Sequence, residues 1–355
     1  MDIYVLNRSF DIVGVCDDYK SCIWTTRYFT LGDFELYLPA TDDNILLLKE
    51  DRYVVRDKDI TADTYKNVMI VEKVQITTSV EDGNFLTVTG RCLKSILSRR
   101  IVWRQTVLSG RLETAIRQVV AANAINADLP ERNVERLYLG QIKGFTDTVD
   151  KQATGDNLAE FVAEITATYG VGWDVYVKDG TMYFDLYKGT DRSYGQAAVP
   201  YVTFSQDYDN LLTTDYQYDK TNYKNVALVG GEGEGLDRRT VAVGNASGLD
   251  RYEVFIDSRN ASSNDGTVTD AEYNALLEEE GRETLKSNEF IIREDIAGEV
   301  EPAGNYILGV HYFLGDIVEV INEYGIETTP RIVEIIESED DTGSVTIPTF
   351  STWEV

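Results

Sequence analysis

The stretch YFTLGDFELYLPA, residues 28–40, decides how the chain is read. A turn at Leu31-Gly32-Asp33 leads into Phe34, Leu36 and Leu38, which alternate with Glu35 and Tyr37. A period of two marks a strand with one buried face. A second version, YFLGDIVEV at residues 312–320, matches once a one-residue gap is allowed. Two readings stay open. Either a common turn before a strand has recurred, or the two ends of the chain are related β-barrels.

Outward from residues 28–40 the first region continues as strands. Ile3 to Leu6, Val68 to Thr78 and Phe85 to Thr89 are β-branched or aromatic runs, and Glu81-Asp82-Gly83-Asn84 supplies a hairpin turn. Several strands at this spacing indicate a barrel or sandwich. Residues 101–205 change character. Leu112, Ala115, Ile116, Val119 and Val120 repeat at helical spacing, as do Leu158, Phe161, Val162, Ile165 and Tyr169. Asp156 is a candidate cap for the second helix, and Gly170 its stop. A hairpin follows over Trp173 to Val177 and Thr181 to Leu186. Residues 206–355 return to strands, near Asn225–Val229, Arg239–Val243, Tyr252–Asp257, Asp316–Ile321, Arg331–Ile336 and Ser344–Ile347. A helical insertion near 257–293 opens on the capping box Thr269-Asp270-Ala271-Glu272. The expected division is 1–100, 101–205 and 206–355, mainly β with α+β insertions.

Composition narrows the function. In 355 residues there are 33 Lys+Arg and 61 Asp+Glu, a formal charge of −28. Such acidity argues against a nucleic-acid-binding surface over most of the chain, because phosphates need cations. Aromatics at 11% argue against a disordered acidic tail. The three cysteines, Cys16, Cys22 and Cys92, read as reduced residues of a protein made in a cytosol. No run is long and apolar enough to span a membrane, and the N-terminus lacks a signal-peptide pattern.

Chemistry is hard to find. His311 is the single histidine, so a His-centred triad or a zinc site has little to work with, and no cofactor is expected. Gly230-Gly231-Glu232-Gly233-Glu234-Gly235 fits neither phosphate-binding glycine pattern and reads as a mobile loop. Asn264-Asp265-Gly266 with Glu272 has calcium-loop spacing, but Ala261 would occupy the first ligand position. Paired carboxylates for glycoside hydrolysis cannot be singled out among 61 acids. Charge distribution is more informative. Arg91, Lys94, Arg99, Arg100, Arg104 and Arg111 form a basic strip without an acid, whereas Glu294 to Val355 holds fourteen acids and one base, Arg331. Two solvated faces would explain this, and so would a basic strip meeting an acidic neighbour.

Several stretches together resemble one family. They are Tyr4-Val5-Leu6, Ile23-Trp24-Thr25, residues 32–40, Arg99-Arg100-Ile101-Val102-Trp103, Gly155-Asp156-Asn157-Leu158 and residues 186–193. With them go Tyr223 to Ala227, Gly248 to Tyr252, Tyr312 to Asp316 and Pro348 to Ser351. The chain resembles, over its whole length, the tail-tip hub proteins of long-tailed phages and prophages. These are related to the hubs of contractile-tail baseplates and to the N-terminal part of tail-associated lysins. The resemblance implies two tube-forming β-barrel domains with smaller inserted domains, in a homotrimer that presents six similar domains to the tail tube protein. It implies a virion protein at the tail tip, made in the host cytoplasm, with the distal tail protein, the tape-measure protein and a tip fibre or receptor-binding protein as partners. DNA would pass through without specific binding. A trimer carries 3 × −28 = −84 formal charges, which suits a channel that must not hold DNA. The chain stops at Trp353-Glu354-Val355, so no lysin domain is expected. A tail-borne hydrolase and a carbohydrate-binding receptor module are the rival readings; the latter draws on 22 Tyr and 4 Trp. Among site residues, Arg99, Arg100 and Arg104 are the expected partner contacts. If Arg99 and Arg100 lie in a strand they point to opposite faces.

Overall fold

The computed structural model describes residues 1–351 apart from 82, 264–266, 288 and 302–303. The calcium-loop candidate Asn264-Asp265-Gly266 and Asp82 of the hairpin lie outside the described residues.

One sheet of 11 strands runs through both ends of the chain. Its order is Asp215–Asp219, Arg293–Ala297, Gly343–Ser351, Arg331–Asp340, Ser21–Arg27, Asp33–Pro39, Gly83–Cys92, Met69–Ser79, Tyr53–Arg56, Ile3–Leu6 and Ile12–Cys16. The join is an antiparallel ladder from Glu334↔Arg27 to Asp340↔Ser21. The Arg27 guanidinium bridges Glu334 on one strand and Asp33 on the next. Beneath the same join, Arg56 is 2% exposed and pairs with Asp59 and Glu337 at 2.5 and 2.6 Å. It also lies 4.9 Å from the centre of the Trp24 ring. Removing a partner from such a buried set costs about 3–5 kcal/mol, because the remaining charge is stranded in low dielectric. The alternation read in residues 34–38 is present: Phe34, Leu36 and Leu38 are buried with Trp24, Cys22, Leu86 and Val88. The opposite, open face carries Glu35, Thr89, Lys73, Ile23 and Ser338 in register.

The mainly β class with α+β insertions is what the fold has, but among the described residues no sheet closes into a barrel. The two repeats of the Leu-Gly-Asp turn also part company. Asp33 opens a strand of the large sheet, whereas the segment after Asp316 joins a separate three-stranded sheet through Glu319–Ile321. A common turn before a strand is enough to account for the sequence echo.

Four helices matter. α1 (Asp42–Leu47) packs near the Ile12–Cys16 strand. α2 (Leu112–Val120) and α3 (Leu158–Thr168) bury their apolar faces with the hairpin Gly172–Lys178 and Thr181–Tyr187. Asn157, not Asp156, caps α3: its Oδ1 accepts from the backbone N–H groups of Ala159 and Glu160. Asp156 instead accepts from the Thr154 N–H, closing the turn before the cap. Gly170 ends the helix with φ +61°, as a left-handed terminus requires. α4 (Asp270–Leu285) has the expected capping box between Thr269 and Glu272. It covers the small sheet Thr240–Val243, Val226–Gly230 and Glu253–Asp257, and Tyr273 and Leu277 form its core with Ala227 and Val229.

Candidate interaction site

The catalytic candidates resolve into structural roles. His311 Nδ1 accepts the Ile307 N–H at 2.9 Å and closes a turn. The start of the glycine-rich run, Gly230 and Gly231, is packed, whereas Gly233, Glu234 and Gly235 are exposed. A Cβ on Gly231 would lie 2.4 Å from the Tyr273 hydroxyl, and one on Gly230 2.8 Å from Arg238. The Tyr273 hydroxyl accepts the Glu232 N–H at 2.8 Å, and Arg238 donates to the Gly230 and Gly231 carbonyls. Cys16, Cys22 and Cys92 are buried free thiols, and burial pushes Cys16 and Cys22 up to about 12. Among the described residues, no group of three or more His, Cys, Asp or Glu side chains is arranged to hold a metal.

The basic strip of residues 91–111 does not form one surface. Arg91 makes a forked pair with Glu72 across two strands, at 2.7 and 2.8 Å. Lys94 turns inward. Its ammonium donates to the Arg27 carbonyl at 2.7 Å and sits 4.8 Å from the Trp173 ring centre, and burial lowers its pKa. Arg99 ends the 3-10 turn Leu93–Arg99, and Arg100 follows it in extended backbone. The opposite-faces expectation for a strand therefore does not hold at these two residues. Arg99 lies 3.9 Å from Asp51, and Arg100 donates through Nε to the Arg132 carbonyl at 2.6 Å. Arg104 meets Asp128 at 2.9 Å, with both side chains largely exposed.

Three arginines from other segments join Arg99, Arg100 and Arg104. Arg8 also pairs with Asp51. Arg132 donates to the Ile101 carbonyl at 2.7 Å, and its guanidinium lies 4.8 Å from the centre of the Trp103 ring. Arg136 donates to the Ser9 carbonyl at 3.2 Å. Partial burial, then the neighbouring charges of Arg132 and Arg99, hold Arg100 below the usual guanidinium range. No window of sequence contains this cluster. It exists because residues 5–10, 99–104 and 129–136 are folded against one another.

The sequence profile of the siphovirus ReqiPepy6 Gp37-like proteins matches residues 2–350. The chain belongs to that family. No curated protein matches it. Solved structures share the family member's fold. The 43 kDa tail protein of prophage MuSo2 from Shewanella oneidensis has a TM-score of 0.60 at 14% identity, covering 99% of this chain and 98% of that one. The tail protein of Neisseria meningitidis MC58 gives 0.60 at 14%, covering 99% and 97%. Prophage tail protein gp18 of Listeria monocytogenes EGD-e gives 0.53 at 12%, covering 98% and 94%. At these identities the likeness is one of fold. It extends over nearly the full length of each chain. Among the described residues no helix is long and apolar enough to cross a membrane.

Proposed function

We propose that this chain is a structural subunit of the phage tail tip, a hub that closes the tail tube and joins it to the distal tail protein, the tape-measure protein and a receptor-binding tip. The observation that carries the reading is the ladder between Ser21–Arg27 and Arg331–Asp340, which makes one continuous sheet out of strands from the first and last β regions. Residues 1–100 and 206–355 are then the two tube-type units, and 101–205 is the inserted one. Neither unit closes alone, and each supplies part of a wall.

Two features support completion of that wall by further copies. Beyond Val71, the strand Met69–Ser79 pairs on one side, with Gly83–Cys92, while Tyr53–Arg56 reaches only its first two residues. At the far end of the sheet, Asp215–Asp219 pairs only with Arg293–Ala297. Exposed edges with open N–H and C=O groups are templates for a neighbouring strand. Three copies would put six β units around a channel. The open sheet face bears Ser338, Thr87, Thr89, Gln75 and Glu35, and its cations Lys73 and Arg91 stand beside Glu35 and Glu72, a lining that gives DNA phosphates little to hold. The acidity of the chain adds repulsion. A labelled copy imaged in the intact particle tests the reading. Three labels at the tail tip are expected, and one or six would overturn the trimeric hub.

A further inference from the structure

The arginine and tryptophan cluster presents an outward charge that its own chain does not cancel. Arg8, Arg99, Arg100, Arg104, Arg132 and Arg136 supply six cations, and two carboxylates engage them: Asp51 for Arg8 and Arg99, and Asp128 for Arg104. Arg100, Arg132 and Arg136 donate to main-chain carbonyls. Those bonds satisfy N–H groups and neutralise no charge. Glu131 and Glu135 stand exposed on the same loop. Counting them as well, 6 − 4 leaves +2 in a chain of −28. Elsewhere Arg27, Arg56, Arg91, Arg192, Arg238 and Arg239 are set against carboxylates, while Arg117 and Arg331 donate singly to main-chain carbonyls.

The patch also has the composition of an interface centre. Trp103 is 52% exposed beneath the Arg132 guanidinium, and Ile101 and Leu129 flank it at 39% and 38%. Exposed Trp and Arg together are the residues that dominate binding energy when a partner desolvates them. The charge selects an acidic partner, and the overall acidity of the chain disfavours duplex DNA.

We propose that this patch seats an acidic protein surface, and that the surface belongs to a second copy of this chain. The assignment to a second copy rests on the ring-forming hub reading. Glu294 to Val355 holds fourteen acids against Arg331; Asp316, Glu334, Glu337, Glu339 and Asp341 pair with cations of the same chain, and Glu327 and Asp340 are exposed. A basic patch meeting an acidic surface elsewhere on the same molecule makes a head-to-tail contact, and such contacts close into rings when the rotation allows. Subunits of −28 each repel, and opposite charge at the seam offsets that repulsion.

The test is the mass of the full chain in solution, by sedimentation, at low salt and at about 0.5 M salt, where screening shortens to a few ångströms. Wild type should self-associate, and the higher salt should weaken association by about tenfold or more. Arg8→Glu with Arg104→Glu should abolish it, and these side chains are 74% and 73% exposed, so the fold should be kept. Trp103→Ala is the second variant, expected to weaken association at least about tenfold without altering charge. Arg259→Glu with Arg282→Glu, on the α4 module, is the charge control and should leave association intact. A wild-type oligomer that survives both patch variants overturns the patch and leaves the hub reading standing. A chain that stays monomeric at all concentrations overturns the second-copy assignment. So does a patch whose reversal abolishes binding of a short DNA duplex or of a different tail protein while self-association persists. A single labelled copy at the tail tip would instead remove the hub reading itself.

Discussion

Tyr28 stands where three parts of the chain meet. Its hydroxyl accepts the Gly189 N–H at 3.2 Å and donates to the Tyr187 carbonyl at 3.1 Å. Its ring is so closely covered that a Cβ on either Gly172 or Gly315 would lie 2.2 Å from it. Arg331 stacks 5.4 Å from the ring centre and completes the enclosure. Tyr28→Phe should cost about 1–3 kcal/mol, since the Gly189 N–H loses its acceptor in a buried place. Gly315→Ala should cost about 2–4 kcal/mol, because it adds overpacking to a left-handed backbone. Urea unfolding midpoints check both, and wild-type midpoints would show that the junction does not hold the modules together. The cysteines give a second residue-scale test. Burial holds Cys16 and Cys22 at about 12 and raises Cys92 as well, so a thiol reagent should label none of the three in the folded chain and all three after denaturation.

At the scale of elements, the contact between α4 and the α+β unit should weaken as pH rises. Glu283 is 5% exposed and pairs with Lys151 of the strand Thr148–Ala153 at 2.6 Å. Glu164 of α3 meets the same ammonium at 2.7 Å. Tyr169 donates to Glu279 one turn earlier on α4, and Glu280 is also raised by burial. Burial, with Glu164 and Glu279 adding negative charge against the pull of Lys151, pushes Glu283 up to about 7. A carboxyl raised above its ordinary value holds a proton in the folded state that the unfolded chain has already released. Its stabilising contribution is complete below the ordinary carboxyl range and is lost as pH rises through about 7. Amide exchange in α4, corrected for intrinsic rates, should therefore speed up between pH 5.5 and 8. Glu283→Gln should remove most of that dependence while retaining protection. A profile flat in both chains would show that Lys151 compensates the carboxylate throughout.

For the whole molecule, elemental analysis of the purified chain should find no stoichiometric zinc. One tightly held zinc per chain would reveal a site assembled between copies. Much of the fold was legible in one dimension. The alternation at Phe34, Leu36 and Leu38, the helical spacing at 112–120 and 158–169, and the Thr269–Glu272 capping box all rest on interactions within a few residues. The cap of α3 was missed by one position because Asp156 and Asn157 are both competent, and only backbone geometry chooses between them. The echo between residues 28–36 and 312–320 leaves two readings open in the sequence, since a turn and a strand say nothing about which strand pairs next. What the sequence determined by itself was therefore local: period, caps, turns, total charge, and a family signature spread along the chain. Only the tertiary structure decided that residues 21–27 pair with 331–340, that Lys94 leaves the basic strip for the core, and that Arg132 lies over Trp103 while Arg8 meets Asp51 and Arg136 meets the Ser9 carbonyl. The physical reason is separation along the chain. Sheet pairing and charge clustering are set by burial and Coulomb terms between residues tens to hundreds of positions apart, and no local pattern records them.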